Sequence, residues 1–277
     1  MSRDPAVSQS VEVPVETPAF VSSAGVPAYD ALVERKLAEF AHLAPQYELQ
    51  CLVATVGQIK GLRQQVAGLA VSDVKGPVLE LCCGTGGVTA ELSRLFDEVT
   101  GIDLSPDMLA RAARRVRREQ LTNVRLHQAE VSTLRFPPAS FSAVVISLGL
   151  HELPQAIRNH VIEQAAVWLK PGGRFVFCDY VEPPSRIVAA IFRWGGRIVI
   201  EEEHFDEYMA YSMGQHLERA GFKLVQRHRR FLSCLEVSAW TIGPGAGKSN
   251  RTLVAMRKRK APGVRAIPQT ETARPRR

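Results

Sequence analysis

Short apolar runs alternate with amphipathic segments along the central part of this chain. Between the runs, apolar residues recur at helical spacing, for example from Leu109 to Val116 and from Ile157 to Trp168. The runs themselves predict buried strands at residues 78–82, 98–103, 123–128, 141–148 and 173–180. Strands that alternate with helices predict βαβ units, and therefore an α/β fold with a mostly parallel sheet.

The end of the patterned region predicts a different connection. Ala220-Gly221 is typical of a helix end, and the strand-like segments 222–232 and 251–256 flank a stretch rich in Gly and Pro. We expect these two segments to form an antiparallel pair that closes the sheet. Residues 1–26 show no periodicity and no apolar core of a secretory signal, so they predict a disordered extension.

The most informative local feature is a strand that enters a glycine turn. Val78 to Leu81 is apolar except for Glu80, and Gly84 and Gly86 follow without side chains that would keep a ligand from the main chain. A helix predicted at 88–96 directs its free amide groups back at this turn. The pattern indicates a site for a nucleoside cofactor.

The next predicted strand narrows the choice of cofactor. It ends in Asp103, and a carboxylate at this position can bind ribose hydroxyls. Ser105 and Pro106 then start a helix, as N-cap and first helical residue. A dinucleotide site favours a third glycine where Thr89 stands, which counts against NAD without excluding it.

Residues 38–258 resemble the class I S-adenosylmethionine-dependent methyltransferases, in the branch similar to ubiquinone/menaquinone C-methyltransferases. The resemblance implies S-adenosylmethionine as cofactor. It also implies a Rossmann-like, mostly parallel seven-stranded sheet with helices on both faces and an antiparallel last strand. The motifs that carry it are Glu80–Gly86, Gly101–Ser105, Ala129–Val131, Phe141–Leu148 and Leu169–Phe177.

The same resemblance assigns cofactor contacts. Glu80, Gly84 and Gly86 would shape the methionine pocket, Asp103 would bind the ribose, and Glu130 with Val131 would lie at the adenine. Tyr47 would cap the methionine end, with a buried packing role as the alternative. The full expected cofactor set is Tyr47, Glu80, Cys83, Gly84, Gly86, Asp103, Leu104, Met108, Glu130, Val131 and Ser147.

A catalytic base is needed only where the methyl acceptor must lose a proton. His151 continues the fourth strand to the edge where ligands bind in open α/β sheets, so it is the first candidate. The alternative is that His151 and Glu152 pack on the cofactor or hold the following loop. His204 is a second candidate base.

An insert at about 181–211 follows the fifth strand, where related enzymes often carry a substrate lid. Its aliphatic residues, together with Arg193, Trp194 and Arg197, suit a lipophilic acceptor taken from a membrane surface. The alternative is a helix that packs on the domain or on the second subunit of a homodimer. We therefore divide the chain into an extension (1–26), a methyltransferase domain (27–258, with its cofactor half at about 75–150) and a basic disordered tail (259–277).

Charge and cysteine content refine the choice of partner. The net charge of +7 comes entirely from residues 257–277, and the rest of the chain is neutral, so nucleic acid is not the expected partner. Five cysteines without paired C-x-x-C spacing indicate a reduced, cytoplasmic setting and no metal site; we interpret Cys82-Cys83 as small residues needed for packing.

The sequence thus predicts a methyltransferase for a small, lipophilic acceptor such as a quinol, phenol, lipid or secondary metabolite. The alternatives are a protein or RNA methyltransferase that docks through the basic tail, and a non-catalytic cofactor-binding protein of the same fold. Intact Gly84, Gly86 and Asp103 count against the latter.

Overall fold

The computed structural model describes residues 15–16, 27–199 and 205–243. Within these ranges the strands are β1 (Val15–Glu16), β2 (Val78–Leu81), β3 (Val99–Asp103), β4 (Val124–Gln128), β5 (Phe141–Ser147), β6 (Leu169–Tyr180), β7 (Phe222–Arg230) and β8 (Leu235–Ile242). The helices are α1 (Pro27–Leu43), α2 (Tyr47–Ala54), α3 (Ile59–Ala70), α4 (Gly87–Leu92), α5 (Pro106–Arg118), α6 (Gln155–Trp168), α7 (Arg186–Val199), α8 (Phe205–Ala210) and α9 (Met213–Arg219).

The strands form one sheet in the order β1-β4-β3-β2-β5-β6-β8-β7. Every neighbouring pair is parallel except those that involve β8, which is antiparallel to both β6 and β7. The predicted mostly parallel, seven-stranded sheet is confirmed by β2–β8, and β1 adds two further residues beside β4. From β2 the chain adds β3 and β4 on one side, and it then crosses over to add β5 and β6 on the other side. In open α/β sheets a ligand crevice is expected at such a point, here between β2 and β5.

The closing pair differs from the prediction. Within the described residues the partner of β7 is β8, Leu235–Ile242. The predicted partner, residues 251–256, lies outside the described residues. β8 lies between two strands, and its polar residues are buried with local partners: Trp240 Nε1 donates to Ser238 Oγ at 2.9 Å, and Arg227 Nε donates to Glu236 Oε1 at 3.0 Å. Because of these polar residues, the sequence pattern predicted a connection where the structure has the strand β8.

Two apolar clusters cover the two faces of the sheet. Alternate residues of each strand point to opposite faces, so Leu79 and Leu81 join one cluster while Val78 joins the other. The first cluster includes buried residues of α6, α8 and α9, and the second includes those of α3, α4 and α5. Helices therefore lie on both faces, as predicted.

Parallel strands end at a common edge, here called the carboxyl edge. β2, β3, β4, β5 and β6 end there at residues 81, 103, 128, 147 and 180. The predicted lid insert contributes α7 and α8, but residues 200–204, which include His204, lie outside the described residues. So do the predicted basic tail and, apart from residues 15 and 16, the predicted N-terminal extension. No helix in the described ranges is both long and apolar enough to cross a bilayer.

Candidate functional site

The glycine turn after β2 bends sharply toward the carboxyl edge. Cys82, Gly84 and Gly86 all have positive φ values, of 52°, 53° and 74°. A Cβ on Gly84 would meet no atom within 4 Å, whereas a Cβ on Gly86 would lie 3.0 Å from the Cβ of Ala112. Gly84 therefore leaves the main chain open to a ligand, and Gly86 lets the turn pack on α5.

Asp103, the last residue of β3, is joined to this turn. Its carboxylate accepts hydrogen bonds from the Gly84 amide at 2.7 Å and the Ser105 amide at 2.9 Å. Burial raises the pKa of Asp103 to about 6, although both hydrogen bonds favour the charged form. Asp103, predicted from the sequence as the ribose contact, is thus also joined to the glycine turn by a hydrogen bond that the sequence did not reveal.

Two clefts open along the carboxyl edge. The first has a volume of about 420 Å³ and is lined by Tyr47, Arg63, Glu80, Cys83, Thr85 and Ser147, among others. The second has a volume of about 590 Å³ and is lined by Phe40, Asp103, Leu104, Glu130, Val131 and Glu152, among others. Cys82 lines both, so the two clefts meet at the glycine turn. Eight of the eleven predicted cofactor residues line this combined groove.

The other three predicted cofactor residues lie close by. Gly84 and Gly86 form the turn itself, and Met108 is buried in α5, where its amide donates to the Ser105 side chain at 3.3 Å. Glu130 is held by its neighbour Ser132, whose amide donates to it at 2.9 Å and whose hydroxyl also donates to it. Its carboxylate is therefore oriented at the second cleft before any ligand binds.

Glu80 lies at the floor of the first cleft and is almost completely buried. Burial raises the pKa of Glu80 to about 8, although the hydrogen bond from Thr89 Oγ1 at 2.5 Å and the charge of Arg63 both lower it. At neutral pH this carboxyl group is therefore protonated unless a cation enters the cleft.

A cluster of charged residues that the sequence did not reveal borders the first cleft, which Arg63 lines. Arg63 of α3 forms a two-pronged pair with Glu48 of α2, at 3.0 and 2.9 Å. Thr85 Oγ1 donates to the same carboxylate at 2.5 Å, and Arg115 Nη2 lies 2.9 Å from it. Burial alone would raise the pKa of Glu48, but these partners outweigh it and hold the pKa at about 2.

This cluster joins α2 to the glycine turn through residues far apart in sequence. Arg115 Nε also donates to the carbonyl oxygen of Thr85 at 3.1 Å, so α5 holds the turn directly. Arg63 stands on the otherwise apolar inner side of α3. The sequence signal that could have identified Arg63 is a single charged residue on that apolar side, next to Leu62. The sequence does not indicate that its partner is Glu48.

His151 follows β5 and is buried beside the groove. Its Nδ1 lies 2.7 Å from Asp179 Oδ1, and its ring packs edge-on against Tyr180 with centroids 4.8 Å apart. Asp179 is fully buried at the end of β6 and also accepts the amides of Leu150 at 2.8 Å and Tyr180 at 2.8 Å. Sequence reasoning missed Asp179, although an acidic residue at the end of a parallel strand is the signal that identified Asp103.

The orientation of His151 follows from this pair. A neutral imidazole that donates through Nδ1 to Asp179 presents Nε2 as an acceptor. Nε2 lies 3.9 Å from Glu152 Oε1, and Glu152 lines the second cleft. His151 itself is not among the lining residues of either cleft in the described structure.

The cysteines of the turn are thiols in a packed setting. Burial raises the pKa of both Cys82 and Cys83 well above the usual value, so neither is a thiolate at neutral pH. All five cysteines are free, and no group of three or more His, Cys, Asp or Glu side chains in the described ranges could hold a metal ion.

Comparisons with known proteins agree with this geometry. The family described as a methyltransferase domain matches residues 78–173. A demethylmenaquinone methyltransferase of Deinococcus radiodurans is 32% identical over 56% of this chain and 64% of its own length. The ubiquinone/menaquinone biosynthesis C-methyltransferase UbiE of Desulfotalea psychrophila is 30% identical over 62% of this chain and 72% of its own length.

A solved structure supports the fold. The N-methyltransferase NodS of Bradyrhizobium japonicum, in complex with S-adenosyl-l-homocysteine, superposes with a TM-score of 0.51 at 18% identity. The match covers 67% of this chain and 88% of that one. The chain spans slightly less than two thirds of the length of the D. radiodurans relative.

Proposed function

Because the chain belongs to the class I S-adenosylmethionine-dependent methyltransferases, in their ubiquinone/menaquinone C-methyltransferase-like branch, we propose that it methylates a small, lipophilic acceptor. One observation carries the proposal: two neighbouring clefts, which share Cys82 in their linings, follow the glycine turn from Arg63 to Glu130. The groove follows the carboxyl ends of β2, β3, β4 and β5.

The chemistry of the groove fits the cofactor at each point. Arg63 is suited to the carboxylate of the methionine part, and Glu80 to its ammonium group. Asp103 is suited to the ribose hydroxyls, and Glu130 with Val131 to the adenine. When bound, S-adenosylmethionine supplies a methyl group that the sulfonium charge makes electrophilic. The protein then has to align the acceptor with that methyl group and exclude water.

His151 is proposed as the base for acceptors that lose a proton. Asp179 would hold the imidazole with Nδ1 protonated, so that Nε2 takes the proton. The buried Asp179 charge, which accepts several amides, would stabilise the imidazolium that forms. The alternative role of His151, in which it supports the loop that carries Glu152, makes the same contacts and differs only in its effect on turnover.

The lipophilic character of the acceptor rests on two further points. Relatives at about 30% identity are named for demethylmenaquinone and for ubiquinone and menaquinone biosynthesis. The insert at 181–211 follows β6 directly and is proposed as the substrate lid, with peripheral contact to a membrane surface.

The remaining organisation is proposed on the same basis. Residues 27–258 would form the catalytic domain in the cytoplasm, where five free thiols are stable. A homodimer through the lid is the alternative use of that helix. The alternative, docking of a protein or RNA through the basic tail, concerns residues that lie outside the described ranges.

The first test is calorimetric titration with S-adenosylmethionine and S-adenosylhomocysteine. Asp103→Asn keeps the shape of the side chain but removes its charge and one acceptor, so we expect the dissociation constant to rise about 10- to 100-fold. Asp97→Asn, at an exposed position near the other edge of the sheet, is the matched control and should bind as the unaltered chain does. No binding of either ligand by the unaltered chain would refute the proposal.

A further inference from the structure

Exposed apolar side chains are concentrated at the carboxyl edge. Of the eleven large apolar side chains that are exposed in the described ranges, seven belong to three segments at this edge. We call these seven the apolar rim: Leu49, Leu52, Val53 and Val56 of α2 and the turn after it, Ile187 and Ile191 of α7, and Leu232 at the tip of the β7–β8 hairpin. Val56 and Leu232 are the most exposed, at 79% and 80%.

The three segments are connected to one another beside the first cleft. The inner side of α2 lines the first cleft through Tyr47 and Cys51. The hairpin is joined to α3 by a hydrogen bond from Arg230 Nε to the Gln65 side chain at 2.8 Å. It is joined to the segment before α7 by a bond from the Val181 amide to the Cys234 carbonyl at 2.9 Å. The three segments are therefore neighbours at the carboxyl edge, and α2 borders the first cleft.

The tips of the rim have an unusual backbone conformation. Three successive residues that are not glycine, Phe231, Leu232 and Ser233, have positive φ values of 49°, 55° and 67°, and Val56 has a φ of 48°. Such conformations are uncommon for branched and bulky side chains.

Each apolar segment also has an exposed basic residue next to it. Lys60 follows the α2 turn, Arg186 precedes Ile187, and Arg230 precedes the hairpin tip. Apolar side chains beside exposed cations are complementary to an anionic lipid surface, where the cations meet phosphate groups and the apolar side chains enter the acyl region.

We propose that the apolar rim docks this chain on the anionic surface of a lipid bilayer, with the groove facing the membrane. The inference rests on the proposed lipophilic acceptor, because such a molecule would then pass between bilayer and groove without crossing water. Three separate tips on different elements favour a deformable surface such as lipid over a single groove of a protein partner.

The test is co-sedimentation of the full chain with phosphatidylcholine vesicles that contain phosphatidylglycerol. Val53→Ser combined with Val56→Ser should lower the partition coefficient at least about tenfold, and Leu232→Ser alone should lower it several-fold. Vesicles of phosphatidylcholine alone should bind the unaltered chain more weakly. The matched control is Val71→Ser with Leu95→Ser, two exposed apolar positions near the opposite edge of the sheet, which should bind normally.

Three outcomes would overturn the inference: no vesicle binding by the unaltered chain, equal binding by the rim variants, or a rim that holds a second copy. The last would appear in analytical ultracentrifugation as a dimer that the rim variants convert to monomer. Titration with S-adenosylmethionine separates this inference from the proposed function. Rim variants should bind the cofactor normally, so loss of vesicle binding alone concerns the membrane contact only.

Discussion

The buried carboxyl group of Glu80 allows a quantitative test of the site. Its pKa in the folded chain is about 8, against an ordinary value of 4.5. Because the folded state holds the proton more tightly, this group's contribution to stability is complete below about pH 4.5 and is lost as the pH rises through about 8. The loss amounts to roughly 4 kcal/mol between about pH 5 and pH 9. Glu80→Gln keeps the shape and cannot ionise, so it should not show this loss.

The measurement is urea denaturation of the two proteins at several pH values across that range. The free energy of unfolding of Glu80→Gln relative to the unaltered chain should increase with pH and level off above about pH 8. Thr89→Val removes the hydrogen-bond donor that lowers the pKa of Glu80. The free energy of unfolding of this variant should therefore continue to decline to a higher pH than that of the unaltered chain. Parallel pH profiles for the unaltered chain and Glu80→Gln would refute the reasoning.

Cofactor binding gives a second readout of the same group. An ammonium group that binds beside Glu80 favours the carboxylate, so binding at about pH 7 should release a proton. Titration in two buffers of different ionisation enthalpy measures this release. Glu80→Gln should abolish it, and a proton release that persists in the variant would locate its source elsewhere.

The remaining predictions concern the charged cluster, the His151 pair and the glycine turn. Glu48→Gln should weaken cofactor binding several-fold, because Arg63 loses its orienting partner. The stability that Glu48 contributes is present above about pH 4.5 and is lost as the pH falls toward about 2. The difference in melting temperature between this variant and the unaltered chain should therefore shrink in acid. His151→Asn should lower kcat about 100-fold or more and leave the cofactor dissociation constant unchanged. Asp179→Asn should lower kcat and also shift the pH–rate profile. If His151→Asn and the unaltered chain have equal rates in single-turnover assays, His151 only supports the loop. Gly86→Ala, with its left-handed φ and its contact with α5, should destabilise the fold by about 1 kcal/mol or more, measured by urea denaturation.

Much of the fold and half of the site followed from local pattern. Alternating strands and helices predicted the parallel sheet, and parallel strands end at one edge whatever their lengths. The family resemblance assigned Glu80, Asp103, Glu130 and Ser147, each at or next to the end of a different strand, to one cofactor site, and they line the two clefts at that edge. The errors fell where local pattern was ambiguous, as in β8.

The contacts that complete the site could not be found this way. Glu48, Arg63 and Arg115 lie on three helices, and Asp179 is 28 residues from His151. Periodicity specifies which side of a helix is apolar, but not which charge on another helix it meets. The pKa of Glu80 likewise depends on how completely the assembled fold excludes water from it.

The amino-acid sequence alone therefore determined the class of fold, the glycine turn and the acidic residues at the strand ends, because these depend on neighbours a few positions away. The pairing of β7 with β8, the Glu48–Arg63 contact, the His151–Asp179 pair and the apolar rim were decided only by the assembled fold. Each depends on which distant surfaces come together and which remain exposed, and those are properties of packing rather than of any local segment.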